Sequence, residues 1–305
     1  MNLPPEFVRN IEGVHGKAGR QFLANLPRLI EEASQRWGLT DVQAAPTLSF
    51  NFVAFARRND EPVVLKMSVP NCEFMSEMAA LRLFDGEGAC RLIDYDKKRY
   101  WMLLERLNPG TMLATLEDDE EATNIAVGVM QKIWRPIESG SKLSSDFIQL
   151  SDWFDGLKKL RSMFKGGTGP LDGALVARVE SSVKEFFAEN HKPVLMHGDF
   201  HHFNILSSGR GWLMIDPKGV IGPAVYEVGP FLINPWGDLL RGNDYRGMTR
   251  RRIDILHERL GFERERIRAW ALAHAILSAW WSIEDQGDWR YAADFAEMIA
   301  SLDLK

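Results

Sequence analysis

The strongest constraint on the fold is a change in the sequence pattern near residue 110. Across residues 46–105, short runs of β-branched and aromatic residues surround one amphipathic helical segment at residues 73–84. After residue 115 the pattern is mainly helical, and only residues 194–216 interrupt it with strand-like runs. The candidate helices of this second part are residues 119–135, 147–164, 172–189, 248–260, 263–284 and 290–302.

This order predicts an α/β (α+β) chain with two lobes of different kinds. The breaker Asn108-Pro109-Gly110 separates them. We therefore expect a small β-rich N-terminal lobe at residues 1–107 and a larger, mostly helical C-terminal lobe at residues 108–305. A helix is expected before the strands at residues 20–37, with a kink or a start at Pro27. Because ligands favour crevices between domains, the functional residues are expected where the lobes meet.

Composition and charge argue against several classes of protein. The 305-residue chain is 45% hydrophobic and 26% charged, with a net charge of -5, whereas a nucleic-acid partner would normally require a basic surface. No stretch approaches the ~18 consecutive apolar residues of a membrane span, and the N-terminus lacks the pattern of a secretory leader. The two cysteines, Cys72 and Cys90, form no CxxC pair, which argues against zinc and disulfides. We expect a cytoplasmic protein with neither a nucleic-acid nor a membrane partner.

Residues 194–208, VLMHGDFHHFNILSS, crowd three histidines, an aspartate and an asparagine behind a short apolar run. His197, Asp199 and His201 alternate, so on a strand they would share a face and could ligate a metal. The string GDFHH also resembles the GDxHG piece of calcineurin-like phosphoesterases, but the GNHD string that those enzymes need is absent. A serine nucleophile is not supported either, because no G-x-S-x-G elbow occurs.

The spacing within this segment fits phosphoryl transfer better. Such a site needs a carboxylate that accepts the proton of the substrate hydroxyl, an amide five residues later near magnesium, and a second carboxylate after a short hairpin. Asp199 and Asn204 have that spacing, and the apolar run in WLMIDPKG places Asp216 at the end of the next strand. Magnesium prefers such hard oxygen ligands and leaves its other positions to water and phosphate.

The first part of the chain supplies the other half of such a site. Lys66 ends the strand PVVLK, and Glu77 follows eleven residues later on the predicted helix. In kinases, a lysine on a strand that is paired with a glutamate on a helix binds the nucleotide phosphates. Taken alone, the two residues would be read as solvated surface charges. Their chain order with Asp199, Asn204 and Asp216 indicates a kinase-type site instead.

A family likeness rests on two strings, HGDFHHFNIL and WLMIDPKGVIGPAVYEVGPFLINP. They resemble the aminoglycoside/hydroxyurea antibiotic-resistance kinase family, within the protein-kinase-like superfamily of aminoglycoside phosphotransferases. The likeness is close over residues 194–235 and looser over residues 46–110. It implies a protein-kinase-like two-lobe fold and transfer of the ATP γ-phosphate, with Mg²⁺, to a hydroxyl of a small molecule. The leading acceptor is an aminoglycoside such as streptomycin.

The resemblance also implies roles for individual residues. Asp199 would be the catalytic base and Asn204 and Asp216 the metal ligands, while the histidines mainly shape the loop. The residues expected on the nucleotide are Lys66 and Glu77 at the phosphates, the backbone amides of Ser49 and Asn51 in a loop without glycine, and the main chain of Glu105 and Leu107 at adenine. The residues expected near the acceptor, where carboxylates would suit a cation, are His202, Glu227, Asp238, Glu284 and Asp285.

Some alternatives stay open on the sequence alone. The acceptor could be another metabolite, such as an amino alcohol, a sugar or a nucleoside analogue. The chain could also be a catalytically silent nucleotide-binding module, although the intact set of five polar residues argues against that. Trp280 and Trp281, on the predicted helix 263–284, are expected in the core, with a position lining a pocket as the alternative.

Overall fold

The N-terminal lobe is built on one antiparallel sheet in the computed structural model, which describes residues 3–137, 145–189, 192–235 and 244–304. Its strands are β1 (Leu39–Ala44), β2 (Phe52–Arg58), β3 (Glu61–Met67), β4 (Leu92–Asp96) and β5 (Trp101–Glu105). They lie in the order β1-β2-β3-β5-β4, so β3 is the central strand and is paired on both sides.

The sequence predicts strands at residues 63–67, 90–95 and 100–105, and β3, β4 and β5 begin and end within two residues of these bounds. The sequence before the polar turn at residues 59–62 predicts two short strands, but it forms a single strand, β2, and β1 was not predicted. Only Leu39 of β1 is buried, so the alternation of apolar and polar residues that marks a half-buried strand is missing there. β1 is held by its backbone pairing with β2.

A long bent helix, α1 (Pro5–Trp37), precedes the sheet. It is interrupted at Gly16, whose φ of 53° lies in the left-handed region. At Gly19 a Cβ atom would lie 2.2 Å from the carbonyl oxygen of Ile11, so only glycine permits this close approach. The predicted helix at 20–37 is the second part of α1, with Pro27 inside it. The first part was missed because its glycines interrupt the helical pattern.

A second helix, α2 (Cys72–Phe84), faces the second lobe. It begins after Asn71, whose side chain accepts the N–H of Phe74 at 2.8 Å. Its buried face combines apolar residues with one polar pair, Ser76 and Glu77. Ser76 donates a hydrogen bond of 2.7 Å to the carbonyl oxygen of Gly219, in the second lobe. The polar pair therefore lies at the junction of the lobes.

The C-terminal lobe is organised around one long buried helix. Its helices are α3 (Asp119–Ile133), α4 (Leu150–Phe154), α5 (Gly156–Met163), α6 (Gly173–Ala188), α7 (Val228–Leu232), α8 (Tyr245–Leu260), α9 (Arg264–Glu284) and α10 (Arg290–Ala300). α9 is in contact with α5, α6, α7, α8 and α10. Although α9 is long and buried, no helix among the described residues has the length and apolar character that a membrane span requires.

Each predicted helical segment of this lobe contains a helix. Segment 147–164 is divided into α4 and α5, which meet at Asp155-Gly156. Gly156 packs on Trp280 of α9, and a Cβ atom there would lie 2.9 Å from the indole nitrogen. The short helix α7 was not predicted, because its sequence VGPFL contains glycine and proline.

Short strands surround the central motif. They are β6 (Pro109–Met112), β7 (Arg135–Pro136), β8 (Ile148–Gln149), β9 (Val194–Met196), β10 (Ile205–Ser208), β11 (Gly211–Met214) and β12 (Val220–Gly222). They form a sheet of order β11-β10-β6 and another of order β7-β9-β12-β8. The chain thus leaves the first sheet after Glu105 and joins the second lobe at Pro109, around the breaker that the sequence contains.

An ion pair between a buried arginine and a half-buried aspartate ties the start of α3 to α8. Arg252 is 1% exposed, and its Nε donates to both carboxylate oxygens of Asp119 at 2.9 and 3.0 Å. On the same two helices Arg251 and Glu120 are exposed and approach only to 3.8 Å. Removal of one partner from a buried pair leaves an uncompensated charge, whereas an exposed pair contributes little to stability.

We expect Asp119→Asn to lower the free energy of unfolding by about 2–3 kcal/mol, because Arg252 would keep its charge in a buried position. The matched control is Glu120→Gln, in the same helical turn, which should change that free energy by less than about 0.5 kcal/mol. Chemical denaturation of both variants measures the difference. Equal effects of the two substitutions would contradict this account.

Candidate active site

Lys66 joins three elements at the junction of the lobes. It lies on the central strand β3 and is 2% exposed. Its Nζ is 2.6 Å from Oε1 of Glu77 on α2 and 3.1 Å from Oδ1 of Asp216. Burial alone would lower the pKa of Lys66, but the attraction of Asp216 and Glu77 outweighs burial and raises that pKa above its ordinary value. Lys66 is therefore a fixed positive charge that links the first lobe to the second.

Asp216 follows β11 and keeps access to solvent. Its φ of 56° is uncommon for a residue other than glycine, and such backbone conformations cluster at functional sites. The side chain is 48% exposed, although one carboxylate oxygen contacts Lys66. Burial acts to raise the pKa of Asp216, but the charge of Lys66 outweighs it and lowers that pKa. Asp216 is thus an ionised carboxylate anchored on one side only.

The loop formed by residues 197–204, between β9 and β10, carries Asp199 and Asn204. The Asp199 side chain is 43% exposed. The amide nitrogen of Asn204 donates to the carbonyl oxygen of Asp199 at 3.1 Å, which leaves the amide oxygen for another partner. Burial acts to raise the pKa of Asp199, but the positive potential of His201 and Lys218 outweighs it and lowers that pKa. The loop therefore presents an ionised, reachable carboxylate and an amide oxygen.

His197 supports this loop from within the core. It is fully buried; its Nε2 is 2.8 Å from the carbonyl oxygen of Ile215, and its Nδ1 accepts the N–H of Asp199 at 3.2 Å. The two bonds require one protonated and one unprotonated ring nitrogen. Burial lowers the pKa of His197 to about 4, which favours that neutral form. His197 is a scaffold residue, as the sequence indicated.

Glu227 was expected near the acceptor, but the structure places it beneath the 197–204 loop. It has no exposed surface. Its two oxygens accept the backbone N–H groups of His197 at 2.8 Å and Gly198 at 2.9 Å. Burial raises the pKa of Glu227 to about 8, although these two N–H groups act in the opposite direction. Glu227 therefore holds the backbone that carries Asp199 and does not face a substrate.

His202 was also expected at the phosphate or the acceptor, and the structure buries it. It is 2% exposed, and its ring stacks on Phe231 with 4.3 Å between ring centroids and 14° between planes. Neither ring nitrogen has a hydrogen-bond partner among the described residues, and burial holds its pKa well below the ordinary value. The expectation failed because residues 202–204 form a 3-10 turn, which directs successive side chains to different sides.

Two side chains outside the expected set of site residues act on Asp199. Nε2 of His201 is 3.7 Å from Oδ1 of Asp199 and 3.3 Å from the amide nitrogen of Asn204. Lys218 is 3.3 Å from Glu73 on α2, and its charge helps to lower the pKa of Asp199. Both had a signal in the sequence. His201 alternates with Asp199, and the lysine stands in the string IDPKG.

The residues expected at adenine and around the phosphates occupy two stretches of the first lobe. Ser49 and Asn51 lie just before β2, while Glu105 ends β5 and Leu107 follows it. The side chain of Glu105 is paired with Arg210 of the β10–β11 hairpin, and its backbone N–H donates to the carbonyl oxygen of Arg91 at 2.9 Å. Their contacts with a nucleotide stay predictions.

The residues expected at the acceptor from the end of α9 are exposed. Glu284 is 40% exposed, with Oε1 3.7 Å from Nζ of Lys159 on α5, and Asp285 follows it directly. Asp238 lies outside the described residues. The tryptophans of α9 differ, since Trp280 is 1% exposed and Trp281 is half-buried. The roles of Glu284 and Asp285 stay predictions.

The oxygen donors fit a magnesium ion that is shared with a phosphorylated substrate. Asp216 offers an ionised carboxylate with solvent access, and Asn204 offers an amide oxygen. In the described ranges, no group of three or more His, Cys, Asp or Glu side chains is arranged to hold a metal by itself. Magnesium commonly takes one or two carboxylates and leaves its other positions to water and substrate phosphates. The donor set suits that mode of binding.

Comparison with solved structures identifies the fold. The aminoglycoside phosphotransferase APH(4)-Ia superposes with a TM-score of 0.63 over 91% of this chain and 98% of that chain, at 16% sequence identity. The chain therefore has the two-lobe, protein-kinase-like fold of these phosphotransferases, with a β-rich first lobe and a helical second lobe. The fold predicted from the sequence is confirmed.

The profile of the aminoglycoside/hydroxyurea antibiotic resistance kinase family matches residues 36–286, and the chain belongs to this family. A streptomycin 6-kinase from Streptomyces glaucescens is 31% identical over 288 residues, covering 93% of this chain and 92% of that protein. A hydroxyurea phosphotransferase from Kitasatospora aureofaciens is 29% identical over 297 residues, covering 93% of this chain and 81% of that protein. The chain is thus a small-molecule kinase, and the predicted family and enzyme class are confirmed.

We expect Glu227→Gln to lower kcat by about ten- to a hundredfold, with little change in the KM of either substrate. The amide nitrogen of glutamine would face one of the two backbone N–H donors, so the loop that carries Asp199 would shift. Steady-state kinetics with ATP and an acceptor measure the effect. The control is Glu87→Gln, an exposed carboxylate paired with Arg135. A rise in acceptor KM at unchanged kcat would instead show that Glu227 contacts the acceptor.

Proposed function

We propose that this protein transfers the γ-phosphate of ATP to a hydroxyl group of a cationic aminoglycoside, with streptomycin as the leading acceptor. The observation that carries the proposal is the contact of Lys66 with both Glu77 and Asp216, at 2.6 and 3.1 Å. In kinases, a lysine held in this way binds the nucleotide phosphates. A structure of the related phosphotransferase APH(4)-Ia contains ADP and hygromycin B, which supports ATP as the donor.

In this proposal the nucleotide lies between the lobes. An ammonium group has three N–H donors; Glu77 and Asp216 accept from two of them, which leaves one for a phosphate oxygen. The backbone near Ser49 and Asn51 would cover the phosphates, and the main chain of Glu105 and Leu107 would bind adenine. These groups lie on the first lobe's side of the junction, so we expect the second lobe to bind the acceptor.

Asp199 would orient the acceptor hydroxyl and take its proton. A general base must be ionised and within reach of the substrate, and Asp199 has a lowered pKa and a side chain that is 43% exposed. A carboxylate of low pKa is a weak base. We therefore infer that Asp199 first orients the hydroxyl and receives the proton once transfer of the phosphoryl group has made that hydroxyl acidic.

Asn204 and Asp216 would hold magnesium. When bound, the ion neutralises charge on the phosphates. The amide nitrogen of Asn204 donates to the backbone of Asp199, which leaves its amide oxygen for the ion. Lys66 contacts one oxygen of Asp216, whose side chain is 48% exposed.

The acceptor class is supported by the streptomycin 6-kinase relative and by the exposed carboxylates Glu284 and Asp285. A charge-assisted hydrogen bond to a guanidinium group contributes about 1.5–3 kcal/mol. A second candidate is a small neutral hydroxyl compound, and the similarity to a hydroxyurea phosphotransferase over 93% of the chain favours it.

A panel of acceptors tests the two candidates. Purified protein with ATP and magnesium is incubated with streptomycin, hydroxyurea, choline and glucose, and ADP release and phosphorylated product are measured. We expect streptomycin to have the highest kcat/KM. A higher value for hydroxyurea would replace the aminoglycoside with the neutral acceptor, and turnover of none of the four would refute the acceptor assignment.

Two aspartate variants separate chemistry from binding. We expect Asp199→Asn to bind ATP normally while kcat falls by about a thousandfold, because the hydroxyl loses its base. Asp216→Asn should instead weaken magnesium-dependent ATP binding, which calorimetry measures directly. Nearly normal turnover of Asp199→Asn would disprove the catalytic assignment, and unchanged ATP affinity of Asp216→Asn would disprove the metal assignment.

A further inference from the structure

A tryptophan of α4 touches the loop that carries Asp199. A Cβ atom built on Gly198 would lie 3.1 Å from Cη2 of Trp153, so the indole ring packs directly against the residue before Asp199. Gly198 has a φ of 88°, and the absence of a side chain there makes this close approach possible. Trp153 is only half-buried. Trp153 therefore lies against the backbone next to Asp199 and keeps part of its surface exposed.

A second half-buried tryptophan extends this surface. The ring centroids of Trp153 and Trp281 are 5.2 Å apart, with 87° between the ring planes. Trp281 lies near the end of α9, next to Trp280, which is 1% exposed and belongs to the core. The sequence left open whether Trp280 and Trp281 lie in the core or line a pocket, and the two residues differ in exposure. Trp280 packs the interior, and Trp281 keeps surface beside Trp153.

Buried groups hold the two indole rings in place. Tyr226 is fully buried, and its ring is 6.2 Å from that of Trp153. His274 is 5% exposed, and its ring is 6.2 Å from that of Trp281. The hydroxyl of Tyr226 is 2.9 Å from Nδ1 of His274. The two tryptophans therefore rest on a hydrogen-bonded pair, which fixes their orientation before any ligand binds.

The charges next to the tryptophans favour a cation. Asp152 is exposed and precedes Trp153 in α4. Asp285 is exposed and lies one turn after Trp281, since its backbone N–H donates to the carbonyl oxygen of Trp281 at 3.0 Å. Indole faces attract ammonium and guanidinium groups, and the flanking carboxylates act in the same direction. Aromatic rings also bind the apolar faces of sugar rings.

We propose that Trp153 and Trp281 form the platform on which a guanidinium- or ammonium-bearing ring of the acceptor rests beside Asp199. This inference rests on the proposed function and deepens it, because it assigns acceptor specificity to two aromatic residues rather than to carboxylates alone. The platform binds the cationic part of the acceptor, and its position next to Gly198 brings a hydroxyl of the same molecule to Asp199.

The test uses the full-length protein with streptomycin, which carries guanidinium groups, as the probe. Trp153→Leu keeps an apolar side chain and removes the indole face, so we expect the KM for streptomycin to rise about tenfold or more. Trp153→Phe should give a smaller rise, and Trp281→Leu provides a second, independent variant. The KM for ATP and the melting temperature should stay close to wild type. The control is Trp289→Leu, a half-buried tryptophan at the start of α10.

The outcomes separate this inference from the proposed function. If wild type phosphorylates streptomycin and the leucine variants leave its KM unchanged, the platform is wrong and the proposed function stands. A parallel loss of ATP affinity and melting temperature would also overturn the platform, because it would show a purely structural role. If wild type phosphorylates no acceptor, calorimetric binding of streptomycin decides. No binding, or equal binding by Trp153→Leu, overturns the platform as well.

Discussion

The buried ammonium group of Lys66 is the interaction on which the candidate site depends. A lysine that is 2% exposed in the centre of a sheet would be costly without partners. Both of its partners come from outside that sheet, Glu77 from α2 and Asp216 from the second lobe. Because buried ion pairs contribute little net stability, the cluster is better explained by the geometry it imposes. It fixes how far α2 and the loop after β11 can move from β3.

Close packing at the same junction enforces this geometry. Gly219 has a φ of 67°, and a Cβ atom there would lie 2.7 Å from the carbonyl oxygen of Ser76. Ser76 also donates to the carbonyl oxygen of Gly219 at 2.7 Å. Since Ser76 adjoins Glu77 and Gly219 follows Asp216 by three residues, this contact holds together the two segments that carry these carboxylates. The contact of Lys218 with Glu73 adds a second link between the same segments.

The sequence was sufficient where the position of a side chain on a strand, helix or loop follows from a local pattern. Lys66 at a strand end, Glu77 on an amphipathic helix and Asp216 after an apolar run were each placed on the correct element. It was insufficient where a polar side chain is buried by distant segments. Glu227 is buried where it accepts hydrogen bonds from backbone N–H groups 29 and 30 residues earlier. No local sequence pattern contains that pairing. The burial of His202 depends on the direction in which one turn points its side chains, and a sequence motif does not specify that direction.

Exposure divides the acidic residues of the site into two kinds. Glu77 and Glu227 are 5% and 0% exposed, and both accept hydrogen bonds from groups that must be held still. Asp199 and Asp216 have side chains that are 43% and 48% exposed, and nearby cations lower the pKa of each. Chemistry on a substrate needs carboxylates that are ionised and reachable, whereas support of a loop needs carboxylates that water cannot displace. The fold meets both needs because the longer glutamates reach inward from helical segments and the shorter aspartates stand on loops.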